Sequence, residues 1–244
     1  MYILDTSAIR GISTAQLRTA ATKFDIAVST LSVLELASHL NDSSGDSYPR
    51  ARGNLLKCQI ARVLDDPFWL LSQRIQSSVN LTRMEDKNIL CQLMAAAKQS
   101  PTLAALERKT LSYPDEVVVS CSDIGNRIAM ILHEEEDSFV AHIESLLSLA
   151  RLDPTLNGNY RLTASEFFRQ LIAATRSLPG TADGNVQARA FLATAPYFGY
   201  LIKRMYQYAN RRSPGEVALS IDRNDCEDAY ISLSLDLHGE DILV

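Results

Sequence analysis

The chain has 244 residues, a length that suits one large domain or two modest ones at about 150 residues per domain. An apolar fraction of 46% supports a hydrophobic core, and the mixing of both charge signs argues against long disorder. A net charge of −5 excludes a general nucleic-acid binder with a wide positive surface and leaves room only for a local basic patch.

The opening apolar run Met1-Tyr2-Ile3-Leu4 stops at Asp5, too soon for a secretory signal. No window approaches the ~18 uncharged apolar residues of a membrane span, so no membrane partner is expected. The four cysteines, Cys58, Cys91, Cys121 and Cys226, form no Cys-x-x-Cys pair. They suit free, mostly buried thiols in a reducing, cytoplasmic setting.

In chain order, Tyr2-Ile3-Leu4 predicts a short strand. Ser13 predicts the cap of a helix over residues 13–23, and Ile26-Ala27-Val28 predicts a second strand. Helical spacing follows over residues 31–40. Short apolar strands alternating with helices mean a parallel α/β sheet. Beyond the polar loop at residues 41–48 the periodicity becomes helical, for example over residues 55–64, 89–97, 138–150, 165–175 and 186–195. Val117-Val118-Val119 reads either as a strand or as the start of the next helix. Residues 217–221 read as a strand or a turn. Residues 224–238 show a helix pattern with Gly239 as its C-cap, and Ile242-Leu243-Val244 reads as a buried parallel strand.

Three acidic signals carry candidate chemistry. Asp5 directly follows a strand, the position where open parallel sheets bind ligands, although it equally suits a helix cap. Glu35 follows the second strand, and Ser32-x-x-Glu35 also fits a capping box. Asp225 and Asp228 open a helix three residues apart and share a face, with Glu227 pointing elsewhere into solvent. The bland reading of this last group is acids complementing the helix dipole.

Taken together, YILDTSAI (2–9), VSTLSVLEL (28–36) and NDCEDAYISLSLDLHGEDILV (224–244) resemble the PIN-domain nuclease family. The resemblance implies an α/β core with a central parallel sheet, built from residues 1–40 and 216–244. Residues 41–215 would then be a largely helical insertion or an enlarged helical part. It implies a metal-dependent endoribonuclease that hydrolyses RNA phosphodiesters with Mg²⁺ or Mn²⁺ held by Asp5, Glu35 and Asp228. Asp225 would be a neighbouring catalytic acid, and Thr6 and Ser7 supporting hydroxyls. The alternative is a catalytically inactive or incomplete PIN-like domain serving as an RNA-binding or protein-interaction module. Small members of the family dimerise and carry protein inhibitors, which makes a homodimer and a protein partner or inhibitor further expectations. Converging carboxylates without cationic partners repel one another, and a hard divalent cation relieves that repulsion.

Two departures stand out. The middle is far longer than a minimal family member needs. The family's last strand usually leads to a further acid, whereas here Val244 is the last residue. The expectation is therefore an incomplete acidic site that cleaves RNA poorly, and a longer natural form that cleaves better.

Bases gather at residues 48–63 and 184–214. The second stretch holds Arg189, Lys203, Arg204, Arg211 and Arg212 among Tyr197, Phe198, Tyr200, Tyr206 and Tyr208. Bases beside aromatics suit single-stranded RNA, and aromatics in a core with bases in water is the plainer reading. Lys203, Arg204, Arg211 and Arg212 are the candidate phosphate contacts. His39, His133, His142 and His238 have no metal-ligand spacing. The run from His133 to Asp137 reads as a solvated acidic turn or helix start.

Overall fold

A computed structural model describes residues 1–41, 47–75, 87–113, 117–152, 184–210, 224–235 and 241–244. Strand β1 (Tyr2–Leu4) ends at Asp5, whose extended backbone begins helix α1 (Thr6–Gly11). Ser13 and Gln16 form a reciprocal capping box on α2 (Thr14–Ala21), satisfying amides that a helix start leaves unpaired. Strand β2 (Ile26–Val28) is wholly buried and leads through Ser29 into α3 (Thr30–Ser38).

Helix α4 (Ser47–Lys57) is followed by a 3₁₀ turn (Cys58–Ile60) and strand β3 (Arg62–Val63). The helical spacing read over residues 55–64 thus hides a strand, because two residues are too few to show a period of two. Next come α5 (Pro67–Ile75), α6 (Lys87–Gln99) and α7 (Leu103–Glu107). Strands β4 (Thr110–Ser112) and β5 (Val118–Ser120) pair antiparallel, which settles Val118 and Val119 as strand residues. Helix α8 (Cys121–Leu152) runs straight through the acidic stretch at residues 133–137, so that stretch is neither a turn nor a helix start. Helix α9 (Gly184–Asn210) carries Pro196 in its interior. Helix α10 (Asn224–Ile231) ends in a 3₁₀ turn (Ser232–Ser234), earlier than the expected end at residue 238, and strand β6 (Ile242–Leu243) comes last. The helix expected at 165–175, the strand or turn at 217–221 and the C-cap at Gly239 lie outside the described residues.

The fold is α/β. Four parallel strands lie in the order β3-β2-β1-β6, with Tyr2 opposite both Ile26 and Ile242 and Val28 opposite Val63. Strand β6 is parallel as expected but not buried. Among the described residues it is an edge strand paired with β1 alone, and Ile242 and Val244 are each 50% exposed.

The chain divides into two compact units. The first comprises Met1–Pro67, Thr82–His133 and His238–Val244, and the second Phe68–Leu81 and Glu134–Leu237. The expected boundary at residue 41 differs from this division, since β3 belongs to the parallel sheet and α4 and α6 pack in the first unit. Ile3, Ile9, Leu34, Leu55, Ile89 and Leu90 are fully buried there. Side chains close helix ends around them. Lys57 donates to the carbonyl of Ile9 at 2.8 Å, and Arg52 donates to the carbonyls of Ala97 and Lys98 at 2.7 and 2.8 Å. Burial pulls the Lys57 ammonium below its ordinary pKa.

In the second unit, Phe68, Phe139 and Tyr197 surround Tyr230, with ring centroids 4.9, 6.5 and 6.0 Å away. The guanidinium of Arg74 in α5 donates to the carbonyls of Leu233, Ser234 and Leu235 at 2.6 to 2.7 Å. It supplies the orphan acceptors at the end of α10 and its 3₁₀ turn with a cation as well as with donors.

Candidate functional site

The first unit places Asp5 and Glu35 at one edge of the sheet. Leu4 pairs with Val28, so β1 and β2 end level, and the residues that follow them leave the same carboxyl edge. Strand β6 ends there too, because the Asp5 amide donates to the carbonyl of Val244 at 2.9 Å. Asp5 caps α1, its Oδ1 taking the amide of Ala8 at 2.6 Å. The cap reading of Asp5 is therefore correct, and it fixes the carboxylate at the strand end by one oxygen.

Glu35 arrives by another route than the expected capping box. The cap of α3 is Ser29, whose Oγ accepts the Leu31 amide at 3.2 Å. Ser32 is already helical and buried, and its hydroxyl is turned to the carbonyl of Leu4 at 3.4 Å. Starting the helix at Thr30 moves Glu35 into the second turn. There its Oε2 accepts the hydroxyl of Thr6, the residue directly after Asp5, and its Oε1 lies 3.3 Å from the guanidinium of Arg10. Thr6 is 5% exposed, whereas Ser7 points outward on α1. Arg10 is the residue that sequence reasoning missed. Its position in the last turn of α1, one turn beyond Thr6, is the signal that could have found it.

The second unit holds Asp225 and Asp228 on the first turns of α10. Asp225 is 1% exposed and pairs with Arg204 of α9. The Tyr200 hydroxyl lies 3.0 Å from Oδ1 of Asp225 and 3.0 Å from Oδ2 of Asp228. Arg204 also lies over the Tyr200 ring, 5.8 Å from its centroid, and donates to Gln207 at 2.9 Å. The picture of acids lacking cationic partners is thus corrected in both units, by Arg10 and by Arg204. Glu227, expected in solvent, is 7% exposed. The reason is that α10 buries more than one face, with Cys226, Ala229, Tyr230 and Ile231 all interior as well. Burial, with Glu227 and Glu135 nearby, pushes the Cys226 thiol well above its usual range.

Of the candidate phosphate contacts, Lys203 is exposed, Arg204 is engaged with Asp225, and Arg211 and Arg212 lie outside the described residues. Tyr197 is half-buried and stacks on buried Tyr230. Arg62 in the first basic stretch lies 3.3 Å from Asp25. Among the described residues no group of three or more His, Cys, Asp or Glu side chains is placed to hold a metal ion, and no helix is long and apolar enough to cross a membrane. In the first unit Thr6 and Arg10 hold Glu35 while the Ala8 amide holds Asp5, and in the second Tyr200 touches both Asp225 and Asp228 while Arg204 pairs with Asp225. No family model, no curated protein and no solved structure matches this chain.

Proposed function

We propose that the chain is a metal-dependent nuclease of the PIN-like kind, hydrolysing RNA phosphodiesters with Asp5 and Glu35 among its acids. The observation that carries this reading is the meeting of Asp5, Thr6 and Glu35 at the carboxyl edge of adjacent parallel strands. Open α/β sheets bind ligands at that edge.

The donor chemistry in the first unit fits Mg²⁺ or Mn²⁺, which take oxygen ligands. Asp5 and Glu35 supply only carboxylate oxygens. When bound, such an ion lowers the pKa of a water molecule and neutralises charge on the phosphate. The chain's own residues do the rest. Asp5 is held by its cap bond to Ala8, and the Thr6 hydroxyl fixes the rotamer of Glu35. Arg10 offsets the charge of Glu35 and is 40% exposed, so it is open to a phosphate oxygen of the RNA. The exposed Lys203 of α9, together with Arg211 and Arg212, would contact the RNA backbone.

A second reading is favoured by one observation. Both oxygens of Glu35 already have protein partners, Thr6 and Arg10. A catalytically silent RNA-binding or protein-interaction module would keep them so. The test is cleavage of single-stranded RNA by the purified protein with added Mn²⁺, with Asp5→Asn as the comparison. Cleavage that Asp5→Asn abolishes supports the nuclease. RNA binding without Asp5-dependent cleavage supports the silent module and overturns the enzyme.

A further inference from the structure

The bases at residues 48–63 are Arg50, Arg52, Lys57 and Arg62, and the fold sorts them. Arg62 lies against Asp25, and Arg52 gives two donors to the carbonyls of Ala97 and Lys98. Lys57 turns its ammonium to the end of α1. It lies 2.8 Å from the carbonyl of Ile9, 3.4 Å from that of Arg10 and 3.0 Å from Oδ1 of Asn54. Arg50 is exposed and meets no acid among the described residues. Arg50, Asn54 and Lys57 recur at spacings of four and three, so they share one stripe of α4, a helix that contains no acid. Asn54 accepts Lys57 through Oδ1, which leaves its amide nitrogen to donate. Beside the stripe Gly53 adds no bulk, and a Cβ there would meet nothing within 4 Å. At its far end the stripe reaches the last turn of α1, and that turn carries Arg10, whose guanidinium stands at Glu35.

We infer that Arg50, Asn54 and Arg10 form a track for the phosphate backbone of single-stranded RNA, leading along α4 to the acidic edge at Asp5 and Glu35. This rests on the RNA reading above and needs no bound ion. Charge complementarity names the occupant. The stripe offers donors and positive charge, and phosphate oxygens supply acceptors and negative charge, which an arginine fork can take in pairs. Lys57 has three acceptors for its three protons, so it ties the stripe to α1 and adds charge without contacting phosphate itself. From Arg50 to Lys57 is about 10 Å of helix at about 1.5 Å per residue, so the track is short. A short, local track is what a chain of net charge −5 can carry.

The experiment is binding of fluorescein-labelled oligouridine to the full chain, read by fluorescence anisotropy in EDTA, where no divalent ion is free and no cleavage intervenes. It is repeated across a potassium chloride series for wild type, Arg50→Gln, Arg10→Gln and Arg18→Gln. Arg18 is exposed on α2, away from the stripe in sequence, and its loss changes the net charge by the same amount. Each phosphate contact on a single strand contributes about 0.7 to the slope of log affinity against log salt. Arg50→Gln and Arg10→Gln should each make the slope shallower by about 0.7, and the two together by about 1.4. Arg18→Gln should keep the wild-type slope. An unchanged slope in Arg50→Gln or Arg10→Gln, or an equal fall in Arg18→Gln, leaves only general charge attraction and overturns the track. Ultraviolet cross-linking of thiouridine-containing RNA to wild type decides the matter if a variant does not fold. Adducts should fall within residues 47–57, and adducts confined to other segments overturn the track. Asp5-dependent cleavage together with a wild-type slope in Arg50→Gln would remove the track and keep the nuclease, whereas a wild type that binds no RNA removes both.

Discussion

The hydroxyl of Thr6 donates to a carboxylate oxygen of Glu35 across 29 residues of sequence, tying the residue after β1 to the second turn of α3. A hydrogen bond to a charged group contributes about 1.5–3 kcal/mol. Thr6→Val keeps the shape of the side chain and removes that bond. We expect a loss of stability of about 1–3 kcal/mol in urea unfolding and at least a tenfold fall in any Asp5-dependent RNA cleavage. Full cleavage by Thr6→Val would separate this bond from the chemistry.

Arg10 competes for the same carboxylate. Its pair with Glu35 is partly exposed, with the arginine 40% and the glutamate 17% accessible, and exposed pairs contribute about 0–1 kcal/mol. Arg10→Ala should therefore unfold at nearly the wild-type urea concentration. It should also lower the Mn²⁺ concentration needed for half-maximal binding, since an ion would no longer displace a cation from Glu35. A higher requirement for Mn²⁺ would mean that Arg10 orders the site instead of competing for it.

Arg74 joins α5 to the carbonyls that follow α10 by three short charge-assisted bonds. Arg74→Ala leaves those carbonyls without that donor, and the cost should be about 2–4 kcal/mol. Hydrogen exchange read by mass spectrometry should show faster exchange over residues 225–235, with the peptide carrying β1 unaffected. Equal acceleration in both peptides would mean that Arg74 supports the whole chain.

Burial raises the Cys58 thiol from 9.0 to about 12, against small opposing effects of its own backbone and Lys57. A thiol whose folded pKa is raised keeps its proton where the unfolded chain would lose it. Its contribution to stability is full below about pH 9 and is lost progressively as pH rises towards 12. Cys121 and Cys226 shift in the same direction by burial. Alkaline unfolding should accordingly begin above about pH 9 and become shallower in Cys58→Ala. At pH 8 iodoacetamide should modify exposed Cys91 first and buried Cys58 only after denaturant is added. Rapid modification of Cys58 in the native protein contradicts its burial.

Much of the parallel sheet was legible because β1 and β2 are apolar runs ended by polar residues that cap helices. Ser13 is the expected cap of α2, and Asp5, which suited a cap and a site residue equally, does cap α1. Ser29 was passed over because Ser32-x-x-Glu35 offered a competing box, and only the packing of Ser32 against Leu4 decides between them. Strands β3 and β4 are too short to show a period, and their pairing with β2 and β5 is what makes them strands. The acids were legible as residue types at strand ends and helix starts. Their partners were not, because Arg10, Tyr200 and Arg204 gain meaning only from helix faces that tertiary packing brings up to the acids.

The order of strands has a consequence for the making of the protein. Tyr2 finds its partner Ile26 after 24 residues (26 − 2) and its partner Ile242 only after 240 (242 − 2). During synthesis the β1–β2 pair can form while most of the chain is still to be made, at about 5–20 residues per second. Until Ile242 and Leu243 emerge, that side of β1 lacks its β6 partner, and open edges recruit foreign strands. The nascent chain therefore passes through a period in which Tyr2-Ile3-Leu4 is half-paired, and chaperone engagement or misassembly should concentrate there.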